Sequence, residues 1–451
     1  MIKYSRLKKT GIGMLSLLFL PFLVTCQGDI WSLERCISHA EKNSLTIQES
    51  QINVQMSALN LSQDKRNRYP NLNANTGVNY NVGRFVNPVT NEFVTTNLLA
   101  NNMGLSSGII VYNGGRLQKN IAKSELQKQV SETNLEQAQR DVALNVASSY
   151  LSVLLAIERD NNTKAILAES ERQLERINKL IASGALPEAD RYEAEAQVAR
   201  NEQSVVASEN AVSQAYLVLK TTLQIPIEQE FEIEQPTITI PAPETLTLQP
   251  YTVIVQQAIS TQPSIKAGEL QLQSAALDIE LAKVGKLPSV SLNASTGTNF
   301  ANLSQIAGNT GYFGQLNENL NGSVGVFVNV PIYDRGATNT AIEQAKLSQL
   351  TQQISNRRIR QNIETQVQQA LADAKAAAKQ MQAAQKTLDA SQKAFSNTQK
   401  RYEIGATTLL DFNTSQNNLN QAEFNMIIAK YDYIFKIKIL EFYQGKQITL
   451  N

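Results

Sequence analysis

The chain has a single histidine and two cysteines in 451 residues. Zinc sites draw three or four ligands largely from those residue types, so a transition-metal centre is not expected. No glycine-rich phosphate loop and no Ser/His/Asp set occurs at useful spacing, so neither a cofactor nor catalysis is expected. His39 is expected on a helix surface and Cys36 as a buried free thiol. Basic and acidic residues nearly cancel, 41 against 40, and leave no footprint for nucleic acid. Beyond the first 26 residues there is no unbroken apolar run of 18 or more. That excludes a multi-helix membrane transporter, and any crossing of a bilayer must use strands.

Residues 1–26 read as a secretory signal, with Lys3, Arg6, Lys8 and Lys9 ahead of an apolar stretch from Met14 to Val24. Its removal takes four basic charges and leaves a slightly acidic chain. Cys26 admits two readings. Leu23, Val24 and Thr25 before it approximate a lipidation signal, whereas Val24 and Cys26 also suit the small-residue positions of ordinary cleavage.

What is present is written twice. Ala40, Ile47, Gln55, Pro70 and Asn75 recur as Ala258, Ile265, Gln273, Pro288 and Asn293 at a shift of 218. Tyr112, Gly115, Gly184, Ala185 and Asp190 recur as Tyr333, Gly336, Gly405, Ala406 and Asp411 at a shift of 221. The expected halves are residues 31–225 and 251–445. A Pro-punctuated connector, 226–250, lies between them, its stretch from Phe231 to Ile240 alternating like a strand.

Each half has two segments of period-two alternation, expected as strands at 71–83, 104–112, 288–300 and 322–332. In the first, Leu72, Ala74, Val78, Tyr80 and Val82 alternate with a face made almost wholly of asparagine. Each segment is about the 9 to 11 residues a tilted strand needs to cross a bilayer. Four strands cannot close a barrel, and an open edge is not tolerated in lipid. Three chains giving four strands each would make a ring of about twelve. The competing reading is a soluble sandwich.

Arg116 to Ser183 and Gly336 to Ile404 lack proline entirely. As helices of about 68 residues they would reach roughly 100 Å, too long for a globule. In the second rod Ile363, Val367, Ala370, Ala374, Ala377, Met381, Ala384, Leu388 and Phe395 form a coiled-coil stripe of mostly small residues. Gly184 and Gly405 then end the rods, and helices of about 35 residues return. Asp190 and Asp411 fall in the first returning turns, where they either serve as bland caps or carry function.

These features together resemble the TolC-like outer-membrane efflux proteins. The likeness covers nearly the whole chain past the signal, from Trp31, Ser32, Leu33 and Cys36 to the helix through Tyr443. Pro70, Tyr112, Asn113, Gly114, Gly115 and Arg116 are similar to the family's strand–helix junction, as are Pro288, Tyr333, Asp334, Arg335 and Gly336. The resemblance implies an α+β membrane protein: a homotrimer with a 12-stranded β-barrel in outer-membrane lipid and a long α-helical coiled-coil barrel through the periplasm. It also implies docking of a periplasmic adaptor (membrane fusion) protein and an inner-membrane pump of RND or ABC type at tips around Gly184, Ala185, Gly405 and Ala406. Asp190 and Tyr402 match a network that holds the tip closed. Two departures follow: the family arginine is Thr407 here, and the second of two pore-narrowing aspartates is Thr414. The first is Asp411, which would gather cations if three copies faced one axis. A secreted coiled-coil scaffold or adaptor is the alternative.

Overall fold

The computed structural model describes residues 30–86, 92–236, 250–302, 310–446 and 448–449. The signal segment, Cys26 and most of the Pro-rich connector lie outside the described residues.

The first half opens with β1 (Ile30–Trp31), α1 (Leu33–Asn43) and α2 (Leu45–Arg66). Ser32 caps α1 by accepting from the Arg35 N–H at 3.3 Å. There follow β2 (Asn71–Val86), β3 (Phe93–Tyr112), the 67-residue α3 (Arg116–Ala182) and α4 (Ala189–Leu223). The connector contributes β4 (Glu232–Ile233), which pairs in parallel with β1. Of the alternating stretch expected as a strand there, only these two residues are extended in a ladder among the described residues.

The second half repeats the order: α5 (Tyr251–Thr261), α6 (Pro263–Lys283), β5 (Ser289–Asn302), a short α7 (Tyr312–Glu318), β6 (Asn321–Asn329), the 67-residue α8 (Ala337–Glu403) and α9 (Leu409–Tyr443). β3 begins at Phe93, well ahead of the alternating stretch that marked it, because Asn97 and Asn101 fall on the apolar side and Leu98 on the polar side and so break the pattern. β6 stops at Asn329, before Pro331, which cannot donate to a ladder.

The four long strands form one antiparallel sheet in the order β2-β3-β5-β6. Pairing brings Ala74 opposite Leu105, Leu105 opposite Thr296, Ser107 opposite Ala294 and Ala294 opposite Val324. Directly opposed residues share a face. Leu72, Val78, Val82, Leu105, Leu292, Val324 and Val326 therefore lie on one side, and Asn71, Asn73, Asn75, Asn293, Ser295 and Ser323 on the other. The apolar side is open: Leu72 is 75% and Val324 76% exposed. No second sheet covers either face among the described residues, so the sandwich reading fails. Beyond the end of β6, α7 satisfies the free edge of β5. Gln315 Oε1 accepts from the Ala301 N–H at 3.1 Å, and Asn319 Nδ2 donates to Asn299 O at 2.7 Å.

The helices make a wall of columns. α3 packs against α2 and α4 on one side and α6 and α9 on the other; α8 packs against α6 and α9. Ion pairs join neighbouring columns: Lys119 with Glu280 at 3.2 Å, Arg360 with Glu269 at 2.7 Å and Lys436 with Asp373 at 3.1 Å. The coiled-coil stripe of α8 is buried from Ile363 to Ala377 and half-buried from Met381 to Phe395.

The densest core sits at mid-height, where the wall thickens. Trp31, Leu33, Cys36 and Ala40 pack on Val146, Tyr150 and Leu154 of α3, Leu219 and Leu223 of α4, and Tyr431 and Ile434 of α9. Tyr150 donates to Glu234 O at 2.7 Å, which fastens the connector across α3. By composition α3 includes one stretch apolar enough to cross a membrane. The apolar residues of α3 concentrate in this core instead, from Val142 to Leu154. Arg140 ties the halves together, donating to Thr261 O at 2.7 Å and Phe442 O at 3.0 Å. Cys36 is fully buried, and burial pushes its thiol up to about 12. His39 is half-buried rather than on the open surface, its ring edge-on to Trp31 at 4.9 Å.

Candidate functional site at the helical tips

Both rods end in the same backbone device. Gly184 and Gly405 adopt φ of 75° and 74°, the left-handed conformation that side chains resist. The Ala185 N–H reaches Leu180 O at 2.9 Å and the Ala406 N–H reaches Arg401 O at 2.8 Å, closing each helix end. Nothing lies within 4 Å of where a Cβ would sit on either glycine, so φ and not space demands glycine.

The two returning helices then start differently. α9 begins with a capping box: Thr408 Oγ1 accepts from the Asp411 N–H at 3.1 Å, and the Asp411 carboxylate accepts from the Thr408 N–H at 3.3 Å. The same carboxylate takes the Thr408 hydroxyl at 2.7 Å and the Thr407 hydroxyl at 3.0 Å. These bonds, led by the Thr408 side chain, hold the Asp411 carboxyl below the usual carboxylate range. Of the two readings left open for Asp411, capping is the one seen within the chain. Thr407 serves that cap, and Thr414 turns back to Leu410 O at 2.8 Å. Asp190 has no such box, since the N-cap of α4, Glu188, makes no side-chain capping bond.

The tips meet through other residues. Arg176 near the end of α3 lies 3.3 Å from Glu403 at the end of α8. Tyr402 stacks on Phe412 of α9 at 4.9 Å and 30°. Its hydroxyl is buried with no hydrogen-bond partner among the described residues. Burial raises the Tyr402 pKa, the negative charge of Asp190 raises it further, and Arg176 opposes both. Asp190 and Tyr402 are thus electrostatic neighbours without a hydrogen bond. Arg176 and Glu403 escaped the sequence reading; the only signal was opposite charge just before each turn.

At the other end of the rods the junctions are built from backbone. Gly115 and Gly336 hold φ of 80° and 83° at the starts of α3 and α8. Asp334 caps α8, accepting from the Gly336 N–H at 3.0 Å and the Thr338 N–H at 2.8 Å. Asn113, at the matching place in the first half, accepts from the Leu117 N–H at 3.3 Å. Tyr112 ends β3, Pro70 and Pro288 precede β2 and β5, and Tyr333 stands exposed beside Asp334. Among the described residues no group of His, Cys, Asp and Glu could hold a metal ion.

A bare sheet with one apolar face, continuous with helices of about 100 Å that end in paired turns, defines a channel-forming outer-membrane protein. The family model described as outer membrane efflux protein matches residues 36–223 and 254–437, and the chain belongs to that family. The chain is 23% identical over 412 residues to the outer membrane efflux protein BepC of Brucella suis biovar 1 (strain 1330), covering 89% of this chain and 83% of that one. It is 22% identical over 351 residues to the probable outer membrane lipoprotein SilC of Salmonella typhimurium, covering 76% and 68%. The crystal structure of the Campylobacter jejuni CmeC outer membrane channel superposes with a TM-score of 0.73 at 18% identity, covering 93% of this chain and 86% of that one.

Proposed function

We propose that three copies of the chain close a passive exit duct through the outer membrane and the periplasm, receiving cargo from an inner-membrane pump of RND or ABC type through a periplasmic adaptor. The observation that carries this reading is the pair of open edges on the sheet, β2 on one side and β6 on the other. Unpaired backbone in lipid costs several kcal/mol per group, so a four-stranded sheet with an apolar face must find partners. Joining β6 of each copy to β2 of the next gives twelve strands and no edge. The polar face, rich in Asn, Ser and Gly, then lines a wet bore with little power to select cargo.

The outer helical columns support the same closure. Ile52, Met56 and Leu59 of α2 and Leu347, Leu350 and Ile354 of α8 are exposed. Each trio lies opposite the face its helix buries within the chain. The spacings mirror one another, four then three against three then four, as antiparallel neighbours require. In this reading the tip residues Asp190, Tyr402, Thr407, Asp411 and Thr414 ring the entrance, and the turns at Gly184–Ala185 and Gly405–Ala406 meet the adaptor. Acylation of Cys26 is proposed as an added anchor, in keeping with the lipoprotein name of SilC.

The test is mass measurement of the detergent-purified protein together with SDS electrophoresis with and without heating. A trimer that resists SDS until heated is expected. A monodisperse monomer that stays in solution without detergent would overturn the reading in favour of a coiled-coil scaffold.

A further inference from the structure

Lys379, Lys386, Lys393 and Lys400 of α8 recur every seven residues along the half of the rod nearest the tip. All four are exposed. Lys379 and Lys386 lie two residues, about 200°, beyond Ala377 and Ala384 of the stripe that packs on α9, and Lys393 and Lys400 lie two beyond the half-buried Ser391 and Thr398 that continue the same seven-residue spacing, so the row runs down the opposite face of the helix. Among the described residues none of the four has a carboxylate partner within the chain, whereas seven of the ten cations of α3 do.

On the other outer column, Glu188 at the start of α4 and Glu195, Glu202 and Glu209 within it recur at the same interval. This row flanks the open face formed by Ala196, Ala199, Gln203 and Val206. Carboxylate is in surplus there. Arg191 is shared between Glu188 at 2.6 Å and Glu195 at 3.7 Å. Lys164 is shared between Asp160 at 3.0 Å and Glu209 at 2.9 Å, and Glu202 has no cation partner among the described residues.

The two rows lie at matching heights. Glu158 of α3 binds Lys430 of α9 at 3.0 Å, and Lys436 binds Asp373 of α8 at 3.1 Å. Because α8 and α9 are antiparallel, Lys379 sits at the level of Lys430 and hence of Glu158. Ser208 donates to Asp160 at 2.6 Å, which sets Glu209 at that level too, within about one helical turn. α8 runs toward the tip and α4 away from it, so the remaining rungs follow in step: Lys386 with Glu202, Lys393 with Glu195, Lys400 with Glu188.

We infer that the lysine row of one copy faces the glutamate row of the next, a charge ladder along the tip half of the seam between protomers. The inference rests on the trimeric reading and adds the chemistry of its seam. Near the membrane that seam is apolar, through Ile52, Met56, Leu59, Leu347, Leu350 and Ile354; toward the tips it is ionic. Charged rows can part into water without exposing apolar surface, and salt screens them. Opening is thereby confined to the tip half while the upper half stays sealed.

The test uses the full-length protein carrying Lys393→Cys with Glu195→Cys and a short bifunctional thiol reagent, the native Cys36 being buried. Covalent dimers and trimers are expected, with loss of them in high salt and in the two-rung mismatch Lys393→Cys with Glu209→Cys. Charge reversal by Lys386→Glu with Lys393→Glu is expected to raise single-channel conductance at low salt, and adding Glu195→Lys with Glu202→Lys to restore it. A stable trimer without cross-links, or one whose conductance ignores the reversals, overturns the ladder and turns the lysine row toward another partner such as the adaptor. A chain that forms no trimer overturns the proposed function instead.

Discussion

The guanidinium of Arg176 lies 3.3 Å from the carboxylate of Glu403, joining the ends of α3 and α8 just before their turns. Both side chains remain substantially exposed, so the pair contributes little to global stability, about 0 to 1 kcal/mol. Its effect should be local. Arg176→Ala is expected to leave the melting temperature nearly unchanged and to raise conductance in planar bilayers, more at low salt than at high salt. Equal conductance at both ionic strengths would remove the pair from the gate.

The capping box of α9 makes a sharper prediction. Thr408→Ala deletes a bond to the Asp411 N–H and should cost about 1 kcal/mol, read as faster proteolysis at the second tip than at the first. The pH dependence has a definite sign. The folded state depresses the Asp411 pKa, so its stabilisation is complete above the ordinary carboxylate pKa near 4 and is lost as pH falls through the lowered value. Asp411→Asn should flatten that acid limb.

Gly184→Ala and Gly405→Ala test backbone strain without steric conflict, because each site is open. A left-handed alanine costs about 1 to 2 kcal/mol, so each variant should lower the stability of its own hairpin in hydrogen exchange. Protection in the mid-height core should not move.

α7 is held on the sheet partly by the Tyr312 hydroxyl, which donates to Asn101 Oδ1 at 3.1 Å, while Asn101 Nδ2 donates to Gly77 O at 3.2 Å. Tyr312→Phe keeps the ring contact with Phe300 and leaves a buried acceptor unpaired, costing about 1 kcal/mol or more. Greater cleavage at α7 by protease added to intact cells is the expected readout.

Cys36 should resist thiol reagents at pH 8 in the folded protein, since its pKa is pushed up to about 12 and only the thiolate reacts. Labelling at full rate in denaturant and almost none without it would bear this out. Rapid native labelling would mean that α1 detaches from the mid-height core.

Much of the architecture could be read from local periodicity. The asparagine-faced alternation after Pro70, the proline-free rods, the glycines at 184 and 405 and the recurrence at 221 residues are properties of short windows or of self-comparison. The site was less legible. Asp411 and Thr407 could be found by position, but not that the Asp411 carboxylate accepts the Thr407 and Thr408 hydroxyls together. Arg176 had no motif at all, and the upper part of β3 was hidden by asparagines that break the alternation.

By itself, then, the sequence determined which segments are strands and which are rods, because side-chain period and backbone propensity act over a few residues. Only the tertiary structure decided that β3 pairs with β5, leaving β2 and β6 as the open edges, and that the tips of the two hairpins come level so that Arg176 reaches Glu403. Those relations join residues roughly 200 positions apart. Their register is set by packing at mid-height and by ladder pairing in the sheet, neither of which a local pattern encodes.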